Sequence, residues 1–468
     1  MTINPLMFRA YDIRGIAGTD LTPDTAKLIG LGLGTYIQRK FNGNRIAVGR
    51  DCRLSGPELN KSFIQGLVAT GCDVTDIGQA TSPLVYFASC HYDFDAAVSI
   101  TASHNPKEYN GFKFVSKNAR SICAADLQDI LNIIQEEDFI LTGTPGQVIK
   151  KDDVFTDYLA KITSIVKLKK PLKIVVDAGN GVTGSFIDPL FKALGCEIIP
   201  LFCEPDGNFP NHEANPEEIE NMRDLIAAVK EHKADIGLGF DGDGDRVGVI
   251  DEKGHHYHAD KLLVLLARDL LSRHPKGKIV FDIKCSKVLE EDIIKNGGEP
   301  IVSKTGHSHI ETKMHEVGAL LGGEVSGHMF FGENYYGFDD AFLAAAKLLE
   351  ILSNTDQTFS ELLQDLPVLY NTPEIKAGCP DNEKFEIVEK LSKEFQRDHN
   401  CITLDGVRIN FDERSWGIIR CSNTSPNLTL RFEAPSKHEL SEIMAKVVDK
   451  LKAHPQIGLD WYDKLQMD

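Results

Sequence analysis

KIVVDAGNGVTGSFIDPLFKALGCEIIPLF, residues 173–202, holds a whole supersecondary unit in one line. A short apolar run, KIVVD, reads as a buried strand, and AGNG is a turn-forming loop. SFIDPLFKALG has apolar residues at helical spacing, and GCEIIPLF is a second strand. Strand, loop, helix and strand make a βαβ unit, for which a right-handed crossover and a parallel pair are expected. The same grammar recurs twice. RIAVGRD (45–51) leads through LNKSFIQGLVATG to GCDVTDIG, and KIVFDIKCS (278–286) leads through VLEEDIIKNGG to EPIVSK. βαβ units resemble one another by chance, so this pattern alone leaves true internal repetition open.

The C-terminal part has a different grammar. ITLDGVRINF, SWGIIRCS and NLTLRFEAP read as antiparallel strands, and Ser436 with Glu439 three residues on reads as a capping box that starts a helix. Leu440, Ile443, Met444, Val447, Val448 and Leu451 recur on one face of that helix and should pack on the sheet. The expected architecture is three α/β segments followed by an α+β domain, with boundaries at residues 1–150, 151–252, 253–367 and 368–468.

Composition narrows the function classes. At 468 residues, 42% hydrophobic and 26% charged, the chain has an ordinary globular composition with enough length for several cores. Its formal net charge of -18 disfavours nonspecific binding to nucleic acid or an anionic membrane, so an anionic ligand must meet a local cluster of Lys and Arg. Ten scattered cysteines without a CxxC pair are expected to be reduced thiols, with no zinc site. The longest apolar run, LLVLLA at 262–267, is too short to span a bilayer, and MTINPLMFRAYDIRG lacks an apolar leader core, so a cytoplasmic protein without membrane contact is expected.

Two loops carry chemistry. GFDGDGDRVGVIDE (239–252) spaces Asp241, Asp243 and Asp245 two apart, with Arg246 directly after. An EF-hand would place acids in this way, but its loop needs a glycine at its sixth position, where Arg246 stands, and helices on both sides, where strand-like segments stand. A divalent-ion site of another kind is the better reading. AAVSITASHNPKEYNGFK (96–113) runs an apolar strand into a small-residue loop with Ser103, His104 and an Asn105-Pro106 turn. By itself this is an ordinary βα turn. A Ser-His-Asp hydrolase is a poor inference, because adjacent residues usually point apart and no GxSxG elbow is present. Taken together, the two loops suit phosphoryl chemistry. A phosphate on Ser103 would carry about -1.5 to -2 charge, and a dication on the aspartates with Arg246 beside it would neutralise that charge.

FRAYDIRG (8–15), TASHNP (101–106) with NGFK (110–113), DGDGDR (241–246), GEVSGH (323–328) and RCSNTSP (420–426) together resemble the bacterial phosphomannomutase/phosphoglucomutase group of the α-D-phosphohexomutases. The resemblance spans nearly the whole chain. It implies three topologically similar α/β domains and a fourth, α+β, domain around one central cleft, which turns the repeated grammar into true repetition. It further implies that Ser103 is phosphorylated and that Asp241, Asp243 and Asp245 bind Mg²⁺, with a phosphoserine oxygen as a further ligand. Glu324 and Ser326 would bind sugar hydroxyls, and Arg420, Ser422, Asn423 and Thr424 the nonreacting phosphate. Tyr11, Lys284, Thr305, Gly306 and His307 are further substrate-binding candidates. Arg14, His104, Lys113, Arg246 and His328 are catalytic candidates, with Lys113 and His328 as the general acid/base pair to test. Val325 and Ser425 depart mildly from the family pattern and remove no functional group.

The implied reaction is reversible phosphoryl transfer between O6 and O1 of mannose and glucose phosphates through a hexose 1,6-bisphosphate, with glucose 1,6-bisphosphate as activator. Glucosamine phosphate is the alternative substrate. GEVSGH lacks both the acidic middle residue of dedicated phosphoglucomutases and the glutamine of phosphoglucosamine mutases. A Mg²⁺-dependent sugar phosphatase and a catalytically silent sugar-phosphate-binding protein are the rivals from other classes. Oligomeric state is not readable from the sequence, and a monomer is compatible with it.

Overall fold

A computed structural model describes residues 3–422 and 426–465, with the side chains of 463–465 left aside. Three sheets share one plan. In each, a central strand (Arg45–Arg50, Lys173–Asp177 or Lys278–Asp282) pairs in parallel with the strand that follows its crossover helix (Asp73–Gln79, Glu197–Leu201 or Glu299–Ser303). On its other side it pairs in parallel with a third strand: Ala96–Ile100, Ile236–Phe240 or Leu321–Gly323. The chain then turns back as an antiparallel fourth strand, Tyr109–Ser116, Val247–Ile250 or Met329–Phe331. The threefold βαβ grammar is therefore true topological repetition.

This plan positions the chemistry. The hairpin loop between the third and fourth strands is 101–108 in the first sheet, 241–246 in the second and 324–328 in the third. These are the serine, aspartate and GEVSGH motifs, at one equivalent place in three units. Ser103 thus lies on a β-hairpin loop and not on the βα turn that its composition suggested, because Tyr109–Ser116 returns antiparallel to Ala96–Ile100. Strands flank the aspartates as well, which removes the EF-hand. His256–Tyr257 adds a further edge strand to the second sheet beyond residue 252.

The central strands are buried on both faces, as their unbroken apolar runs require. The helix Ala341–Ser353 is apolar nearly all round and is buried accordingly, within a core that runs continuously through residues of the first three units. The C-terminal domain has its own core, where Val407, Ile419, Leu430 and Phe432 meet Ile443, Val447 and Leu451 of the helix Lys437–Leu451. Ile283, Trp416 and Ile418 form the apolar seam between it and the third unit. ITLDGVRINF divides into Asn400–Ile402 and Val407–Asn410, with Gly406 at φ 72° between them. Only half of the expected capping box forms: Ser436 Oγ accepts from the Glu439 amide, while the Glu439 carboxylate accepts from the Ser436 hydroxyl and not from the Ser436 backbone N–H. All ten cysteines are free thiols. Among the described residues, no helix is long and apolar enough to cross a membrane.

Candidate active site

Ser103 is 3% exposed and adopts φ +51°, a left-handed conformation that costs a non-glycine residue free energy and aims its side chain across the domain boundary. Its hydroxyl donates to Asp241 Oδ2 at 2.7 Å, so the serine loop of the first unit touches the comb of the second. Contrary to expectation for sequence neighbours, His104 Nδ1 also lies 3.1 Å from Ser103 Oγ. Asp241 faces the serine and not the histidine, so the order of a hydrolase triad is not met. Burial, and then the nearby Arg246 and Arg14, push the His104 pKa well down, leaving a neutral ring. Arg14 reaches the same loop, donating from Nη1 to Asn105 Oδ1 at 2.7 Å and from Nη2 to Asp12 at 2.5 Å.

Asp241 Oδ1 accepts from the backbone N–H groups of Gly244, Asp245 and Arg246, at 3.0, 3.1 and 3.1 Å. Gly244, at φ 76°, permits the tight turn that lines these amides up. Asp243 Oδ2 accepts from Ser82 Oγ at 2.6 Å and from Lys113 Nζ at 2.7 Å, and Asp245 Oδ2 from Lys113 at 2.5 Å. The remaining oxygens, Asp243 Oδ1 and Asp245 Oδ1, are buried with no hydrogen-bond partner among the described residues. Buried carboxylate oxygens left open in this way suit a cation. One oxygen from each of the three aspartates lies within 4.8 Å of the others, so the comb can hold a metal ion. Burial, then Asp245 and Asp243, drive the Asp241 pKa well up. Burial opposes the charge on Lys113, but Asp243 and Asp245 outweigh it and keep the side chain an ammonium.

Arg246 donates from Nε to His328 Nε2 at 2.9 Å, and His328 Nδ1 lies 2.7 Å from Asp339 Oδ2. In the GEVSGH loop, Glu324 Oε1 accepts from the Gly306 amide, while Ser326 Oγ lies 3.2 Å from Glu324 Oε2. Tyr11 OH donates to the Thr305 carbonyl at 2.9 Å, and Gly306 packs so closely on the Tyr11 ring that an added Cβ would lie 2.6 Å from Cζ. The His307 ring stands between those of Tyr11 and His328, with centroids 5.9 and 5.8 Å away, and burial lowers its pKa to about 4. Lys284 Nζ donates to Glu374 at 2.6 Å. Arg420 Nε donates to Asp405 Oδ2 at 2.9 Å, and the same oxygen takes the Thr305 amide at 3.2 Å. Ser422 follows Arg420 at the end of the strand Trp416–Cys421, its carbonyl accepting from Lys384. Asn423 and Thr424 lie outside the described residues.

The structure thus gathers Ser103, His104, Lys113, Arg246, His328 and the three aspartates into one centre. Tyr11, Thr305, Gly306, Glu324, Lys284 and Arg420 form a polar, partly cationic region beside it, built from the first, third and fourth domains. Sequence reasoning missed Arg53, Ser82, Asp339, Glu374 and Asp405. No local motif marks them, although Asp51 and Arg53 occupy the loop after a central strand, equivalent to the one that carries Lys284.

A buried serine on a three-carboxylate comb, with arginine and lysine heads around it, is an arrangement suited to phosphoryl chemistry in a four-domain α/β protein. Comparison with known proteins gives the family. The descriptions "Phosphoglucomutase/phosphomannomutase, alpha/beta/alpha domain" I, II and III match residues 5–141, 153–254 and 258–370, and that of the C-terminal domain matches 374–450. The chain is 45% identical over 453 residues to the phosphomannomutase/phosphoglucomutase of Pseudomonas aeruginosa, covering 97% of this chain and 96% of the relative. To the phosphoglucomutase of Neisseria gonorrhoeae it is 43% identical, over 96% and 98%. The solved structure of a phosphoglucomutase/phosphomannomutase family protein from Burkholderia thailandensis superposes with a TM-score of 0.90 at 40% identity, covering 97% of this chain and 98% of that one. The chain belongs to the phosphoglucomutase/phosphomannomutase family and by that membership is a phosphohexomutase, an isomerase.

Proposed function

We propose that this enzyme moves a phosphoryl group reversibly between O6 and O1 of mannose and glucose phosphates, with Ser103 as the group that carries it. The observation that carries the reading is the 2.7 Å contact between Ser103 Oγ and Asp241, which sets this serine hydroxyl against the comb. Phosphoserine 103 gives its phosphoryl to the free sugar hydroxyl. The serine O–P bond breaks, the sugar O–P bond forms, the sugar hydroxyl proton leaves to a nearby base, and the released Ser103 oxygen takes up a proton to become the hydroxyl again. The hexose 1,6-bisphosphate turns over, and the other phosphate returns to Ser103 by the reverse step. Glucose 1,6-bisphosphate primes the cycle by phosphorylating the serine.

Asp241, Asp243 and Asp245 would hold Mg²⁺, which when bound neutralises charge on the transferring oxygens. Arg246 and Arg14 bring cations to the same phosphoryl group, and Lys113, held as an ammonium, balances part of the comb's charge. Because the sugar must bind in two orientations, recognition rests on groups present in both: Glu324 and Ser326 on ring hydroxyls, and Arg420, Lys284 and the loop from Ser422 through Thr424 on the distal phosphate. Tyr11, Thr305, Gly306 and His307 shape the wall between these regions. Glucosamine phosphate is the alternative substrate, less supported because the relatives named above carry mannose and glucose names. The domain boundaries near residues 150, 252 and 367 and a cytoplasmic location belong to the same reading, with which a monomer is compatible.

The test is a bisphosphate-primed assay on mannose, glucose and glucosamine 1-phosphates, run beside a phosphate-release assay, with Ser103→Ala as control. Isomerisation with little phosphate release is expected. Stoichiometric release without isomerisation would convert the reading to a phosphatase, and full activity in Ser103→Ala would end it.

A further inference from the structure

We propose that Arg53 is the positioning residue of the reacting serine, fixing Ser103 in its left-handed conformation by gathering the backbone carbonyls of its loop. Arg53 is 1% exposed and uses all five of its N–H donors. Nη2 donates to the carbonyls of Ser103 and Asn105 at 2.8 and 2.6 Å, and Nη1 to those of Pro106 and Tyr109 at 2.7 and 2.9 Å. Nε donates to Asp51 Oδ2 at 3.1 Å. A hairpin loop with φ +51° at its functional residue does not hold itself, and here three of its carbonyls and that of Tyr109, where the returning strand begins, converge on one planar fork.

The other side of Ser103 is tied through the same carboxylate. Thr101 Oγ1 donates to Asp51 Oδ2 at 2.7 Å and accepts the Ser103 amide at 2.9 Å. Both backbone polar groups of Ser103 are thus anchored to Asp51, one through Arg53 and one through Thr101. The second domain closes over this assembly. Phe209 lies over the guanidinium, 5.1 Å from ring centroid to Cζ, and Gly207 packs so closely that an added Cβ would meet the Cys52 carbonyl at 2.6 Å. Gly242, inside the comb, approaches the same Ser103 carbonyl that Arg53 holds; a Cβ there would lie 2.5 Å from it. The carbonyl is therefore located from both domains at once, which references the serine oxygen to the carboxylates. None of these contacts reaches the sugar-binding residues, so the clamp acts on the phosphoryl step and not on affinity.

This rests on the mutase reading, and the experiment separates the two. Wild type, Arg53→Lys, Thr101→Val and Thr101→Ser are compared for kcat and KM on glucose 1-phosphate with bisphosphate, after circular dichroism shows each to be folded. Lysine has three donors on a point charge and cannot span four carbonyls. Arg53→Lys and Thr101→Val should lower kcat about 10²-fold with KM held within about twofold, the loss expected for a reacting group displaced on the order of 1 Å. Thr101→Ser keeps the hydroxyl and should recover most of kcat. A wild type that isomerises nothing would sink the mutase reading instead. With an active wild type, a folded Arg53→Lys that keeps its kcat, a KM that rises in step with the fall in kcat, or equal effects of Thr101→Val and Thr101→Ser would overturn the clamp. Should Arg53→Lys not fold, the threonine pair decides alone.

Discussion

Arg246 Nε donates to His328 Nε2 at 2.9 Å, which fixes the tautomer of that imidazole. A guanidinium can only donate, so Nε2 accepts and the ring proton sits on Nδ1, facing Asp339 Oδ2 at 2.7 Å. Burial lowers the His328 pKa, so the ring is neutral. The three side chains form a chain in which Asp339 orients His328 and His328 orients Arg246. In this arrangement His328 Nε2 is free to take a proton only when Arg246 lets it go, so the proposed general-base role requires that guanidinium to turn away. Asp339→Ala should therefore lower kcat about 10²-fold with little change in KM. Asp339→Asn retains an acceptor for the Nδ1 proton and should recover part of the loss. Steady-state kinetics of the two variants checks this, and equal loss in both would count against the orienting role.

Magnesium should stabilise the fold, and more so at higher pH. Two buried carboxylate oxygens of the comb, on Asp243 and Asp245, have no hydrogen-bond partner among the described residues, while burial and its two neighbours raise the Asp241 pKa. Protons therefore compete with the metal as pH falls. At a hundred times its dissociation constant the ion would add about 2.7 kcal/mol, an upward melting shift of about 2 °C or more. Thermal unfolding with and without Mg²⁺ measures it. The shift should shrink as pH falls and disappear in Asp243→Asn, along with activity. An undiminished shift in that variant would place the ion elsewhere.

Much of this was legible in the chain because it is local. Apolar runs such as KIVVD and KIVFD announce central strands, and the Asp241–Asp243–Asp245 spacing shows its chemistry within six residues. What the sequence hides is long-range. Ser103 and Asp241 lie 138 positions apart, and only the register of two different hairpins brings them together. Arg53, Asp339, Asp405 and Glu374 sit in loops with no distinguishing pattern, and their roles come from what the fold sets opposite them. His104 shows the converse: a prior about sequence neighbours fails where Ser103 takes a left-handed backbone that swings its side chain back toward the next residue.

Glu311, in the helix His307–Val317, is a buried acid that joins the third domain to the first. It accepts from the Ser121 amide at 3.0 Å and the Ser121 hydroxyl at 2.5 Å, with Arg120 and His315 each 3.8 Å away. Burial raises its pKa to about 7. The unfolded chain releases this proton near the ordinary glutamate value, so the folded state binds more protons between about 4.5 and about 7. Its contribution is fully present below that window and is lost as pH rises through it, by on the order of 3 kcal/mol. Glu311→Gln keeps an acceptor for Ser121 without the charge. The variant should gain on wild type in urea unfolding as pH rises from about 5 to about 8.5; a constant difference would show that Glu311 does not titrate in this range.

Arg420 and Lys284 are cations already held by acids, Asp405 at 2.9 Å and Glu374 at 2.6 Å. Such pairs keep guanidinium and ammonium heads ordered and charged in a buried place, and a doubly charged phosphate can compete for them. Arg420→Ala removes the fork proposed to bond the nonreacting phosphate but leaves Ser103, the comb and Arg246 untouched. KM for glucose 1-phosphate should rise about 10- to 100-fold, the worth of one or two charge-assisted bonds, with kcat changed far less. Asp405→Asn frees the guanidinium from its carboxylate and should lower KM or leave it unchanged. An Arg420→Ala enzyme with wild-type KM and a reduced kcat would move this arginine from holding the substrate to the phosphoryl step itself.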